Sequence, residues 1–112
     1  MHIRKLLALV LLGLSLSAAA DFRTIIEAYE VFVGDMRLPR SEGGTLTFKR
    51  CADCELQTVR VNGKTRYVLN DRDVALAKFR EELKHLRHKK TEAATVMHHL
   101  ESNTITAIKV NL

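Results

Sequence analysis

Hydrophobic and polar residues alternate over five short stretches of this chain, and a period of two is typical of half-buried β-strands. In the first stretch, Leu46 and Phe48 fall on one face and the polar residues around them fall on the other. The alternation predicts strands over residues 45–49, 57–61, 65–69, 94–99 and 104–110. The chain is therefore expected to be mainly β.

Residues 21–38 fit two patterns. Their apolar side chains can be placed on one face of a helix, whereas Tyr29, Val31 and Val33 also alternate as they would in a strand. Because valine and tyrosine are enriched in strands, we favour a strand over residues 27–33.

One later segment has the spacing of an amphipathic helix. Between residues 74 and 88, large apolar side chains recur at steps of three and four, which places them on a single stripe. Asp71 or Asp73 can cap this helix at its N-terminus. The stripe consists of Leu76, Phe79, Leu83 and Leu86. A basic strip flanks it, formed by Arg80, Lys84 and Arg87.

Turn signals separate the predicted elements. Asn62-Gly63 is the strongest hairpin signal, since a type I′ turn needs positive φ at both central residues, and it predicts that the strands on either side pair. The resulting order, β-β-β-β-α-β-β, is that of a mainly β fold with one α-helix, in the α+β class, with a small antiparallel sheet. From Thr45 onward, the order also matches the partly open, five-stranded barrel of the OB-like fold.

The first twenty residues have the layout of a secretory signal peptide. Two basic residues precede an apolar run over residues 6–16, and small residues follow, so cleavage is expected after Ala20. The run is too short to span a bilayer, which takes about 20 apolar residues. We therefore expect an exported, periplasmic protein that does not span the membrane, with one small domain over residues 21–112.

The charge balance indicates partners only weakly. The whole chain has 18 basic and 13 acidic side chains and a net charge of +5. Two basic side chains lie before the expected cleavage point, which leaves 16 against 13 and a net charge of +3. An exported protein with so mild a charge is not expected to bind nucleic acid. The expected partner is an envelope protein or an anionic surface that docks on the basic strip.

The two cysteines of the chain, Cys51 and Cys54, lie between two predicted strands. Export would place them in an oxidising compartment, where disulfides persist. A thioredoxin-like redox pair usually precedes a helix that lowers the pKa of the attacking thiol, whereas here a strand is expected to follow. Glu55 stands where covalent haem attachment needs a histidine. We favour a structural disulfide, with thiol–disulfide exchange as the alternative.

A metal site is a third interpretation of the two cysteines. Zinc needs four ligands, commonly supplied as two close pairs. His98 and His99 could join Cys51 and Cys54, but neighbouring residues of a strand point to opposite faces, so one histidine at most could turn toward a given metal. This is the weakest of the three interpretations, and no cofactor is expected.

No arrangement of catalytic residues can be recognised in the sequence. Ser41 and Ser102 lie in no strand-turn-helix elbow, and Gly43-Gly44 lacks the lysine of a phosphate-binding loop. The carboxylates are scattered singly. The sequence therefore favours a non-catalytic binding or envelope-support module over an enzyme.

Five short motifs are spread over most of the chain that follows the signal peptide. They are Leu38-Pro39-x-Ser41, Gly44, Cys51-x-x-Cys54, Thr65-x-Tyr67 and Leu76-Ala77-x-Phe79. In this spacing the chain resembles a group of short exported bacterial proteins of unassigned function. The resemblance implies a periplasmic protein with a β-rich fold, and it implies no activity.

Overall fold

The computed structural model describes residues 25–112, so the predicted signal peptide and its cleavage point at Ala20 lie outside the described residues. The described chain is mainly β with one α-helix, as predicted, and it forms one sheet of seven strands where six strands were predicted. The strands are β1 (Ile26–Phe32), β2 (Thr45–Lys49), β3 (Leu56–Arg60), β4 (Arg66–Leu69), β5 (Arg72–Val74), β6 (Ala93–His99) and β7 (Thr104–Val110). The helix α1 (Leu76–Lys84) lies between β5 and β6 in the chain, and a 3₁₀ turn (Val33–Asp35) follows β1.

Strand β7 lies at the centre of the sheet. The main path runs in the order β1-β6-β7-β3-β2, while β4 pairs with both β5 and β7. β6 and β7 are antiparallel, whereas β3 and β4 both run parallel to β7, with Arg60 opposite Thr104 and Tyr67 opposite Ile108. The sheet is therefore mixed, and the prediction of an antiparallel sheet is wrong for these two pairings.

Asn62-Gly63 does not form the predicted hairpin. The φ angle of Gly63 is not positive, as a type I′ turn would require. Instead, the Asn62 amide nitrogen donates to Thr65 Oγ1 at 3.0 Å, and the Thr65 hydroxyl donates to the carbonyl of Ile105 at 2.6 Å. Because Ile105 belongs to β7, this buried bond holds the chain beside β7, and β4 continues in the direction of β3.

The hairpin between β4 and β5 turns at Asn70-Asp71 instead. These residues have φ angles of 51° and 67°, which suit a type I′ turn. β5 adds a fifth strand before the helix, where the helix was predicted to begin. Asp71 and Asp73 therefore do not cap α1; its N-cap is Ala75, which makes no side-chain capping bond. Asp73 pairs with Arg66 on β4 at 3.0 Å.

Helix α1 is shorter than predicted and ends at Lys84. The chain beyond it returns to the end of β1, where two backbone bonds join the segments. The Gly34 amide nitrogen donates to the carbonyl of Lys89 at 2.7 Å, and that of Val33 donates to the carbonyl of Glu92 at 2.9 Å. A longer helix would carry these carbonyls away from β1, so the backbone pairing ends the helix early.

The hydrophobic core confirms the predicted alternation. Leu46 and Phe48 of β2 are fully buried, as is Val96 of β6. The helix packs on β4 through two aromatic rings, those of Tyr67 and Phe79, whose centroids are 5.4 Å apart. Other fully buried side chains are Val61, Ile105, Ile108 and Val110.

The two edge strands of the main path, β1 and β2, curve toward each other without closing the sheet. The ring of Tyr29 on β1 stacks on that of Phe48 on β2, with centroids 5.8 Å apart. Beyond the 3₁₀ turn, Arg37 exchanges two backbone hydrogen bonds with Thr47, at 2.8 and 3.1 Å. Arg37 and Thr47 form an isolated β-bridge and do not extend a strand. The sheet is open, and the OB-like barrel is not confirmed.

Candidate functional site

An open groove of about 580 Å³ lies between α1 and the segment that follows β1. Small-molecule sites commonly have volumes of roughly 300–1,000 Å³. We call this the helix groove. One wall is formed by Val33, Gly34, Met36 and Leu38. The other consists of Ala77, Arg80, Glu81, Leu83 and Lys84 of α1, and Lys89 completes the lining.

The floor of the helix groove is apolar and belongs to the hydrophobic core. Val33 and Leu83 are buried, and the half-buried Met36 and Leu38 pack against the same cluster of side chains. Close-packed interiors deform little. The floor therefore has its shape before any ligand arrives.

Gly34 permits the close approach of two segments at one wall. A Cβ atom at this position would lie 3.2 Å from the carbonyl oxygen of Lys89, closer than nine in ten real Cβ contacts. The Gly34 amide nitrogen donates to that same oxygen. A residue without a side chain lets the two backbones touch, and this contact brings Lys89 to the groove.

Three cationic side chains surround the apolar floor: Arg80, Lys84 and Lys89. Over residues 25–112, none of the three forms an ion pair, since the pairs present join other residues. Arg80 has a long hydrogen bond from Nη1 to the carbonyl of Arg40, at 3.5 Å. The rim of the groove thus carries three positive charges, none of which is held in an ion pair within the described chain.

Glu81 is the carboxylate among the lining residues, and its own helix holds it. Its Oε1 lies 2.9 Å from Nε2 of His85, one helical turn further on. The hydrogen bond from His85 lowers the pKa of Glu81, and the charges of His85 and Lys84 act in the same direction. Glu81 is therefore ionised near neutral pH and offsets one of the three positive charges, so the rim keeps a net positive charge.

The structure brings two residues of the predicted basic strip, Arg80 and Lys84, to the helix groove. Arg87 lies beyond the end of α1 and does not line it, whereas Lys89 does. Lys89 cannot be recognised as a site residue from the sequence, because its position depends on the early end of the helix. The one signal for it was its place just after the basic strip.

Cys51 and Cys54 form the predicted disulfide, with their Cα atoms 5.0 Å apart. They enclose a turn in which the Cys54 amide nitrogen donates to the Cys51 carbonyl at 3.2 Å. The turn joins the antiparallel strands β2 and β3, and β3 begins at Leu56. Cys51 is exposed and Cys54 is half-buried. The pair is thus followed by a strand, as the sequence indicated, and closes the loop of a hairpin.

The two histidines considered as metal ligands lie on opposite faces of β6. His98 is buried, whereas His99 hydrogen-bonds to the hydroxyl of Ser102 at 2.8 Å. In the part of the chain that the structure describes, no three His, Cys, Asp or Glu side chains are grouped so that they could hold a metal ion. The structure does not bring Cys51 and Cys54 together with either histidine.

The fold is thus a small, mainly β domain that carries an apolar-floored groove with a basic rim. No family model, no curated protein and no solved structure matches this chain. Within residues 25–112, no helix has the length and apolar character needed to cross a membrane. The function therefore has to be inferred from the groove.

Proposed function

We propose that this protein is a secreted, periplasmic binding module that works without catalysis and holds its ligand in the helix groove. Export is supported by the signal-peptide pattern of residues 1–20. The disulfide between Cys51 and Cys54 is compatible with an oxidising compartment. The role is one of binding or of support within the envelope.

The observation that carries the proposal is the apolar floor beneath a rim of net positive charge. Ligand sites are typically apolar hollows with a few placed polar groups. Three cations around a continuous apolar surface fit a ligand that has both an anionic head and a hydrocarbon portion. We therefore take the ligand to be an anionic lipid of the envelope.

The proposed contacts divide between the two parts of such a lipid. Its head group lies between Arg80, Lys84 and Lys89, and its acyl chain lies on Met36 and Leu38. Each basic residue near an anionic membrane surface contributes about 1 kcal/mol, so the rim contributes on the order of 3 kcal/mol. That energy corresponds to roughly 100-fold in affinity.

The test is sedimentation of the protein, purified from the periplasm, with vesicles of phosphatidylglycerol or of phosphatidylcholine. Binding to phosphatidylglycerol is expected, and it should weaken as salt is added because salt screens exposed charges. Reversal of the rim charges in the variant R80E/K84E/K89E should lower the affinity by roughly 100-fold or more.

A matched control separates the groove from the net charge. The variant R60E/K64E/K109E changes the net charge equally at exposed positions outside the groove. It should keep most of the affinity for phosphatidylglycerol. Equal loss in the two variants would mean that the vesicles sense net charge and not the groove, and the proposal would then be wrong. If the protein binds neither kind of vesicle but does bind an acidic envelope protein, the ligand is that protein and not a lipid.

Thiol–disulfide exchange is a second candidate function, favoured by the exposure of Cys51 at the surface. The strand that follows the pair argues against it, because a helix N-terminus usually activates the attacking thiol. Measurement of the reduction potential separates the two roles. A potential below roughly −300 mV excludes exchange with the usual thiol partners, whereas one near roughly −200 mV supports it.

A further inference from the structure

A second, smaller hollow of about 300 Å³ lies beside the helix groove. The segment of residues 36–41 separates the two. Helix α1 forms the far wall of the helix groove, and strand β2 contributes the far wall of the second hollow. We call the second one the loop hollow. Leu38 lines both, so the two hollows adjoin along one side chain.

The walls of the loop hollow are fixed by the fold. Pro39 is fully buried, and Arg37 is held to Thr47 by the two backbone hydrogen bonds of the β-bridge. The Gly44 amide nitrogen donates to the carbonyl of Ser41 at 3.0 Å. A Cβ atom on Gly44 would lie 3.2 Å from that oxygen and 3.3 Å from the Cβ atom of Pro39. The glycine thus lets the loop close on itself, and the hollow has its shape before any ligand arrives.

Two arginines, Arg37 and Arg40, line the loop hollow, and both are exposed. Neither forms an ion pair within residues 25–112. The bond between Arg40 and Arg80 uses the backbone carbonyl of Arg40 and not its guanidinium. No carboxylate lines the hollow. The acidic residue nearest in sequence is Glu42, whose charge raises the pKa of Tyr67.

The polar side chains of the loop hollow suit a phosphate group. Arg37 lies opposite Thr47 in the β-bridge, so the two side chains project from the same face. Thr45, two residues along β2, projects from that face as well. The Thr47 hydroxyl is engaged by Thr58 at 3.0 Å. An arginine guanidinium presents its donors in a planar fork that matches phosphate oxygens.

We propose that the two hollows together hold one lipid with two phosphate groups, of the class of cardiolipin. This inference rests on the proposed function and specifies the class of lipid. One phosphate lies at the rim of the helix groove, and the second lies in the loop hollow against Arg37 and Arg40. The glycerol that joins them passes over Leu38, and the acyl chains lie on the apolar floor of the helix groove.

The charge of the two hollows favours a doubly charged head group. Five cationic side chains and one carboxylate, that of Glu81, line them together, which leaves a net charge of +4. A head group with one phosphate leaves the arginines of the loop hollow without a partner. A lipid with two phosphates brings the second one to the loop hollow once the first is bound, at a high effective concentration.

The test compares two sets of phosphatidylcholine vesicles, one with cardiolipin and one with phosphatidylglycerol. Half as many cardiolipin molecules are used, so that both sets carry the same number of anionic phosphates and the same surface charge. In sedimentation, the purified protein should bind the cardiolipin vesicles roughly 30-fold more tightly, the factor expected for contacts of two further basic residues.

The variant R37Q/R40Q should lose this preference. Its affinity for cardiolipin should fall roughly 30-fold, to that for phosphatidylglycerol, while its binding to phosphatidylglycerol changes little. The single variant Arg40→Gln leaves the bridge residue Arg37 intact, and it should lose part of the preference even if the double variant fails to fold. The matched control R72Q/K109Q removes two exposed charges outside both hollows and should keep the preference.

The outcomes separate this inference from the proposed function. If the wild-type protein binds both sets of vesicles equally, the helix groove binds anionic lipid but the loop hollow holds no second phosphate, and this inference alone is wrong. If neither set is bound, both are wrong. Equal losses of R37Q/R40Q on the two sets would show that the arginines sense surface charge, which also overturns the inference. So would loss of the preference in R72Q/K109Q.

Discussion

Two basic regions of the molecule differ in what their positive charges contact. At the end of β2, the guanidinium of Arg50 lies 4.8 Å from the ring centre of Tyr29, donates to its hydroxyl and faces Glu27 at 3.9 Å. At the helix groove, the cations surround an apolar floor, and no carboxylate of the described chain pairs with them. These cations are Arg80, Lys84 and Lys89.

The difference shows that a count of positive charges does not locate a binding site. Arg50 is partly exposed, yet it donates a hydrogen bond to Tyr29 and pairs with Glu27, so it joins the end of β2 to β1. The cations at the rim of the helix groove form no ion pair within the described chain, and they lie beside an apolar surface that belongs to the core. The first arrangement stabilises the fold, and the second is available to a ligand.

The largest expected effect is on the free energy of unfolding, which should depend on the floor of the groove and not on its rim. Leu83→Ala removes a buried side chain from the floor and should lower the free energy of unfolding by about 2–5 kcal/mol. Lys84→Ala, the next residue along, should change it by less than about 0.5 kcal/mol. Urea denaturation of both variants measures this. Similar losses in the two would show that the rim is part of the fold and not free for a ligand.

The disulfide next to Arg50 gives the second prediction. Replacing both Cys51 and Cys54 with serine should cost about 2 kcal/mol, a low value because the closed loop is short. The loss should be seen in the urea midpoint, while binding in the helix groove stays unchanged. An undiminished midpoint would show that the disulfide is not structural, and reduced groove binding would show that the two regions are coupled.

Arg50 itself gives the third prediction. Arg50→Ala removes a hydrogen bond and a cation–π contact with Tyr29, and should cost about 1 kcal/mol, allowing for the exposure of the side chain. Arg80→Ala in the rim should change the stability by less than about 0.5 kcal/mol and should weaken lipid binding instead. The opposite pattern, with Arg80 important for stability and Arg50 for binding, would reverse the comparison.

The smallest expected effect on stability comes from Tyr67, whose hydroxyl lies in neither of the two basic regions. Its hydroxyl is buried and has no hydrogen-bond partner among the described residues. Tyr67→Phe removes this unpaired group, so at pH 7 the stability should rise by up to about 1 kcal/mol. A clear loss of stability at pH 7 would mean that the hydroxyl has a partner.

The same side chain predicts a response to alkali. Burial raises the pKa of Tyr67, and the charge of Glu42 adds to this. A folded-state pKa above the usual value of about 10 contributes stability below that pH, which is lost as the pH rises through the folded-state pKa. The wild-type protein should therefore lose stability above about pH 10, and Tyr67→Phe should lose less. Unfolding curves at pH 8 and pH 11 compare them.

The strands and the local hairpin between β2 and β3 could be predicted from the sequence, but the parallel pairings with β7 could not. Alternation depends on each strand alone, and it located β2, β6 and β7. The choice of hairpin depends on distant residues. Asn62-Gly63 and Asn70-Asp71 both carry turn residues, and the second forms the type I′ hairpin. The first is held open by the bond between Thr65 and Ile105, residues that lie 40 positions apart.

The candidate site was predictable to a similar extent. Helical spacing placed Arg80 and Lys84 together because both lie on α1. Met36 and Lys89 reach the groove through backbone contacts between two irregular segments, for which no periodicity exists. Elsewhere in the sheet, the hydrogen bond between the Tyr29 hydroxyl and Nδ1 of His98 joins residues that lie 69 positions apart, and no local pattern predicts it.

The central place of β7 bears on how the protein folds. The hairpins β2–β3 and β6–β7 can each form locally, but β7 joins them through parallel pairings with β3 and β4. Contacts between residues far apart in sequence slow folding, because the loop between them must close before the contact forms. Assembly of the sheet therefore waits for β7. If the chain is exported as proposed, this delay keeps it unfolded, and so able to cross the membrane, for longer than a chain of local hairpins.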